Sequence, residues 1–237
     1  MPRANTLKRA AASSGAGSTV ERILDGALAL LNRDGGSDTT TNHIAAHLGM
    51  SPGNLYYHFR NREQIVRALF VRVAAEGLAA TAPPASAVLT AAEFGARHLE
   101  GLRILWRYRF FFRDLNQLVA RDRELAAEFE RYERRLRGQY RALFERLLAQ
   151  GDMRPLRPAD DLDRVVANAV VIWFNWLPYV RALRPRPEIT RADVVEGALH
   201  SFLVAAPLLE PGFASAARAV IERHRRGAGR AKRGDAT

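Results

Sequence analysis

Apolar side chains recur at helical spacing along most of the chain, and no stretch alternates with the period of a strand. Val20, Ile23, Leu24, Ala27, Leu28 and Leu31 mark a first amphipathic helix. Ser18 and Glu21 offer it a capping box, and Asp34-Gly35-Gly36 closes it. Ile44, Ala45 and Leu48 give a second, short helix, capped by Thr40 or Thr41. Gly49 falls where that helix must stop and the chain must turn. Ser51 is a cap and Pro52 a first helical residue, so Pro52–His58 is a third helix with Leu55 and Phe59 turned to the core. Ile65, Val66, Leu69, Phe70 and Val73 run along a fourth, capped by Asn61 and ending at Thr81-Ala82-Pro83-Pro84.

From Thr90 onward the pattern stays helical. Phe94, His98, Leu102, Leu105 and Trp106 share a face, followed by the arginine- and aromatic-dense run WRYRFFFRDL. Leu125, Phe129, Tyr132, Leu136, Tyr140, Leu143 and Leu147 trace a long amphipathic helix closed by Gly151-Asp152. The stretch from Asp160 or Asp161 to residue 180 is apolar almost all round, broken by Asn168 and Asn175, with Pro178 expected to kink or loosen it. Thr190 caps the next, which carries Val194, Val195, Ala198, Leu199, Phe202 and Leu203. The expected fold is all-α: an N-terminal three-helix helix-turn-helix head plus a larger helical body. The expected divisions are a flexible basic arm over 1–18, the head with its connecting helix over 19–81, the body over 82–226, and a disordered basic tail over 227–237.

A 48% hydrophobic composition supports a real core, and the lack of cysteine removes disulfides and thiolate metal sites and fits a reducing cytoplasm. No long uncharged apolar run exists, and MPRANTLKRAAASSGAGS has no apolar core of the kind a signal peptide or membrane anchor needs. A net charge of +11 invites a polyanionic partner. Its distribution tempers that inference, because residues 19–81 hold six basic and six acidic side chains. Arg60, Arg62, Arg67 and Arg72 do follow the third helix closely.

That third helix is short and shows small, amide, phenol and imidazole groups outward. Such a surface suits a DNA groove better than a core, which is the helix-turn-helix logic. Asn54 is its one exposed amide and is expected to reach base edges, since amides pair well with adenine. Thr41, Asn42, Tyr56, Tyr57, His58 and Arg62 are expected to grip mainly phosphate, with Ser51, Pro52 and Gly53 completing the DNA-facing set.

Residues 19–72 resemble the DNA-binding domain of TetR-family transcriptional regulators, through an amphipathic first helix and then TT-x-x-IA-x-x-LG-x-S-x-x-x-LYYHF-x-N-R-E. The second half shows a generic helical resemblance. The resemblance implies a non-enzymatic, sequence-specific regulator: a cytoplasmic homodimeric repressor released from a pseudo-palindromic operator in double-stranded DNA by a small-molecule effector. It also implies that the fourth helix links effector site to reading head. Two alternatives are a TetR-like activator or ligand-independent regulator, and a helical interaction module with a vestigial head.

His43 and His47 lie four apart, but the position after His43 is isoleucine where a zinc protease needs glutamate, and no third ligand is evident. No metal and no cofactor are expected. The aromatic surplus is either ordinary helical core or the lining of an effector cavity. The cavity reading places His98, Leu102, Trp106, Phe110, Phe144, Trp173 and Trp176 around the ligand. Helices 160–180 and 190–209, the most apolar pair, are expected to form a four-helix dimer interface, with Val170 and Trp173 on its exposed side.

Overall fold

The structure, a computed structural model, describes residues 3–35, 39–84, 86, 88–158, 160–183 and 189–234. Its described residues form ten α-helices: α1 (Arg3–Asp34), α2 (Thr41–His47), α3 (Pro52–His58), α4 (Arg62–Thr81), α5 (Ala91–Arg107), α6 (Arg109–Arg121), α7 (Arg123–Gln150), α8 (Leu162–Ala182), α9 (Arg191–Ala205) and α10 (Pro211–Gly234). A 3₁₀ turn over Ala206–Leu208 joins α9 to α10. The contacts divide the chain into two compact units, 1–72 and 73–237. The division falls inside α4, ten residues before the Pro83-Pro84 loop that the sequence offers as a boundary. A helix can serve two cores in succession, and composition does not mark where one hands over to the other.

Helix ends follow local chemistry. The Thr40 hydroxyl accepts the His43 N–H and the His43 ring accepts the Thr40 N–H, a reciprocal box at the start of α2. Thr90 with Glu93 and Thr190 with Asp193 repeat that box at α5 and α9. Asp161 caps α8 by accepting the Arg164 N–H. Gly151, at φ 86°, closes α7 in the left-handed conformation that a Cβ disfavours. Two termini differ from expectation. α1 begins at Arg3, so Ser18 and Glu21 lie inside it rather than capping it, and α10 continues to Gly234 through the expected tail. Both segments are rich in alanine and arginine or lysine, which are strong helix formers. The side chains of Arg3, Lys8 and Arg9, and all those beyond residue 224, lie outside the described residues.

In the first unit, Ile23, Ala27 and Leu31 of α1, Ile44 of α2, Leu55 of α3, and Ile65 and Leu69 of α4 are all fully buried. α1 and α2 approach closely at Gly26, where a Cβ would fall 2.3 Å from Leu48. Arg72 ties α4 to α1 through Glu21 and, at 2.7 Å, Asp25.

The second unit is a helical bundle in which α8 packs on α9, α10 on α5 and α9, and α6 on α7 and α8. Phe94, His98, Phe144, Phe202 and Phe213 form one aromatic cluster, with ring centroids 4.9–6.4 Å apart around Phe94. α8 continues through Pro178 to Ala182. Its surface departs from expectation. Val170 and Trp173 are buried within the chain, at 1% and 8% exposure, and the outward groups are Asn168, Val171, Asn175 and Tyr179. Residues one position apart point about 100° apart on a helix, and an all-apolar sequence does not say which of Val170 and Val171 faces in.

Candidate functional site

The reading head is built from two short helices and the turn between them. Gly49 takes φ 62° after α2, and its N–H bonds the Ala46 carbonyl while Met50 N–H bonds Ala45. Ser51 then caps α3 by accepting the Asn54 N–H at 3.2 Å. Leu55 and Phe59 anchor one side of α3, at 0% and 8% exposure. The other side is open: Ser51, Pro52, Gly53, Asn54, Tyr56 and Tyr57 are exposed, with His58 half-buried. Tyr57 stands out at 84% exposed and meets the His58 ring edge-on at 5.1 Å. The Tyr56 hydroxyl lies 3.3 Å from that of Thr41, which places it at the start of α2 beside the exposed Asn42. The structure thus brings the ten expected residues onto α2, α3 and the start of α4.

Beyond α3, Asn61 accepts the Gln64 N–H while Gln64 accepts the Arg60 N–H, so a reciprocal cap fixes the entry to α4. Arg62 is half-buried there, and its Nε–H is buried with no acceptor. Arg33 pairs with Asp34 and Arg72 with Glu21 and Asp25, so those cations are neutralised within the head. His43 and His47 are both exposed, and no group of three potential metal ligands occurs among the described residues.

The second unit holds a cavity of about 40 Å³, measured as room for the centre of a water-sized sphere. One wall is the C-terminal part of α4: Gly77, Ala80 and Thr81. α5 and α6 supply Gly101, Ile104, Leu105 and Phe112, α7 supplies Tyr132, Leu136 and Tyr140, and α8 supplies Trp173 and Phe174. Phe112 and Phe174 stack nearly parallel at 6.2 Å. The α4 wall is well held. Thr81 Oγ donates to Gln139 of α7 at 2.6 Å, and the Arg97 guanidinium of α5 donates to the Ala80 and Ala82 carbonyls, satisfying the open end of α4.

Of the seven residues expected around a ligand, Trp173 alone lines this cavity. His98, Leu102, Phe110 and Phe144 are buried core, at 5%, 7%, 0% and 3% exposure. Burial lowers the His98 pKa, and the ring takes the Phe94 carbonyl as its partner. Trp106 lies under the guanidiniums of Arg109 and Arg191, 4.7 and 5.8 Å from its centroid, and Trp176 donates to the Asp193 carbonyl and meets the His200 ring at a 31° tilt. The other six therefore lie away from this cavity. Sequence reasoning missed the glycines and alanine that open the space, although Gly77, Ala80 and Thr81 already showed a small-residue face at helical spacing.

Comparison with known proteins agrees with this geometry. A family model described as "Bacterial regulatory proteins, tetR family" matches residues 23–69, and another, "TetR: Bacterial transcriptional repressor", matches 72–216. A TetR-family transcriptional regulator from Marinobacter aquaeolei VT8 superposes with a TM-score of 0.76 at 29% identity, over 87% of this chain and 98% of that one. A gamma-butyrolactone receptor (ArpA like protein) gives 0.58 at 16% identity, covering 90% and 98%. SmeT, the repressor of the Stenotrophomonas maltophilia multidrug efflux pump SmeDEF, gives 0.55 at 18%, covering 82% and 92%. With an intact helix-turn-helix head and a family match through most of the body, this chain belongs to the TetR family of DNA-binding transcriptional regulators, which are not enzymes.

Proposed function

We propose that the protein is a cytoplasmic homodimeric repressor that reads a pseudo-palindromic operator through α3 and leaves it when a small molecule fills the body cavity. The observation that carries the reading is α3 itself. Its apolar side is locked by Leu55 and Phe59, and its polar side meets solvent with Asn54 and Tyr57 exposed. In this reading Asn54 contacts base edges, while Thr41, Asn42, Tyr56 and Arg62 grip phosphate, which would offer the Arg62 Nε–H the acceptor it lacks.

The dimer reading rests on Val171, Tyr179 and Leu203, exposed by 56%, 56% and 45% on the two packed helices α8 and α9. A second copy would cover them and supply the second head that a seven-residue recognition helix needs. The effector reading rests on the cavity, whose α4 wall belongs to the same continuous helix that begins at Arg62 next to α3. The structural relatives include a receptor for a small lactone and the repressor of a drug pump, which favours this reading over a ligand-independent regulator. Among the described residues no helix is long and apolar enough to cross a membrane.

The test is a gel shift on the protein's own upstream DNA, together with solution mass at micromolar concentration. A dimer that binds one site, with affinity falling steeply as salt rises, is expected. A stable monomer that binds the site tightly overturns the dimer, and no specific binding to that DNA overturns its choice as operator.

A further inference from the structure

We propose that Arg109 and Arg191, which both lie over the Trp106 indole, bind phosphate, either the free ion or the phosphate group of a small molecule. The site is separate from the body cavity, whose lining includes none of the three residues.

Trp106 is the penultimate residue of α5, Arg109 the first of α6 and Arg191 the first of α9. α5 packs on both of those helices. The two guanidinium carbons lie 4.7 and 5.8 Å from the centre of the one indole. Packing thus brings to a single ring two cations that are far apart in sequence.

Other arginines of these helices are neutralised. Arg103 pairs with Glu100, Arg107 with Glu76, and Arg113 and Arg181 with Asp114. Among the described residues no carboxylate pairs with Arg109 or Arg191. Arg109 is half-buried, and burial, followed by the nearby Arg113 charge, lowers its pKa. Each of the two also opens a helix, where the positive end of the aligned peptide dipoles repels a cation. Their charge therefore carries a cost that no internal anion offsets.

The donors remain available. Stacking on an indole uses the flat face of a guanidinium, and its N–H groups point outward in its own plane. Arg109 Nη1 donates to the Trp106 carbonyl at 3.0 Å. Its remaining nitrogens keep accessible surface, and Arg191 is exposed. A phosphate dianion matches two guanidiniums in charge, and its oxygens accept in pairs from a guanidinium fork. A carboxylate supplies only one charge.

The experiment uses the full-length protein at constant ionic strength, with inorganic phosphate, glycerol phosphate and acetate as probes. Calorimetry should show phosphate binding about tenfold more tightly than acetate. Arg109→Gln and Arg191→Gln should each weaken phosphate about tenfold, the worth of one charge-assisted pairing. Arg191→Gln, at an exposed position with no ion pair to lose, should melt with the wild type. In the wild type, the Trp106 indole N–H resonance should shift with phosphate, while those of Trp173 and Trp176 stay in place. The Trp106 resonance is the one lost in Trp106→Phe. Glycerol phosphate binding more tightly than inorganic phosphate makes an organic phosphate the ligand, and equal or weaker binding makes it the free ion. No phosphate binding, acetate bound as tightly, unchanged affinity in Arg191→Gln, or a Trp106 resonance that ignores phosphate would each overturn the site.

Discussion

Gly53 is the second residue of α3, and nothing inside the protein requires a glycine there. Its φ is not positive, and a Cβ built on it meets no atom within 4 Å. Gly138, on the exposed face of α7, is equally open. Replacing a helical glycine by alanine removes backbone freedom from the unfolded chain and gains about 0.5–1 kcal/mol. Gly53 lies in the first turn, where the lower figure applies. Gly53→Ala and Gly138→Ala should therefore both be stabilised, by about 2–4 °C per kcal/mol for a chain of this size. Their effects on DNA should diverge. If α3 lies in the major groove, the bare backbone at Gly53 lets it approach base edges, and a methyl would hold it off. Losing one base-edge contact costs about 1–3 kcal/mol per head, roughly 5- to 150-fold in affinity, and twice that free energy for two heads on one operator. Thermal melts and a fluorescence-anisotropy titration on the operator measure both sides. Gly53→Ala binding as tightly as wild type would refute the reasoning, as would Gly138→Ala weakening the complex to the same degree.

Three further outcomes are expected. Asn54→Ala should change the consensus recovered from a random-site selection, whereas Arg62→Ala should weaken all sites and flatten the salt dependence of binding by about one ion. Val171→Glu and Leu203→Glu should give monomers of near-normal melting temperature in analytical ultracentrifugation, whereas Val170→Glu, at a 1% exposed position, should unfold the body instead. Asp160 is held well below its usual 3.8 by hydrogen bonds from the Arg154 and Arg157 side chains, with the Arg157 N–H adding a third. A depressed carboxyl stabilises the fold above its unfolded pKa and loses that contribution as pH falls towards its folded one. The melting-temperature gap between wild type and Asp160→Asn should thus be constant above about pH 5 and close as the pH drops below 4.

The head was legible because each of its boundaries has a local chemical cause. Thr40, Gly49, Ser51, Pro52 and Asn61 each act on backbone groups within four residues, and the structure uses every one of them at that range. The exposed face of α3 was legible by subtraction, since Leu55 and Phe59 claim its only apolar side. α1 and α10 run through most of the segments expected as a flexible arm and a disordered tail, since alanine, arginine and lysine there favour a helix.

The cavity was illegible for a different reason. A cavity consists of missing atoms, and a surplus of large aromatic side chains does not mark where atoms are missing. Phe110 and Phe144 satisfied the aromatic criterion because a well-packed core satisfies it too. What opens the space is the absence of side chains at Gly77, Ala80 and Gly101, on two helices separated by the Pro83-Pro84 loop. Their small size means something only once α7 and α8 are seen to bring Tyr132 and Trp173 against them. The same dependence explains α8: an apolar helix serves one face or two according to its neighbours, and the neighbours bury Val170 and Trp173 while leaving Val171 and Tyr179 to solvent. Of the seven residues expected around a ligand, Trp173 alone reaches the cavity wall, because the far edge of its ring packs against Gly101 of α5.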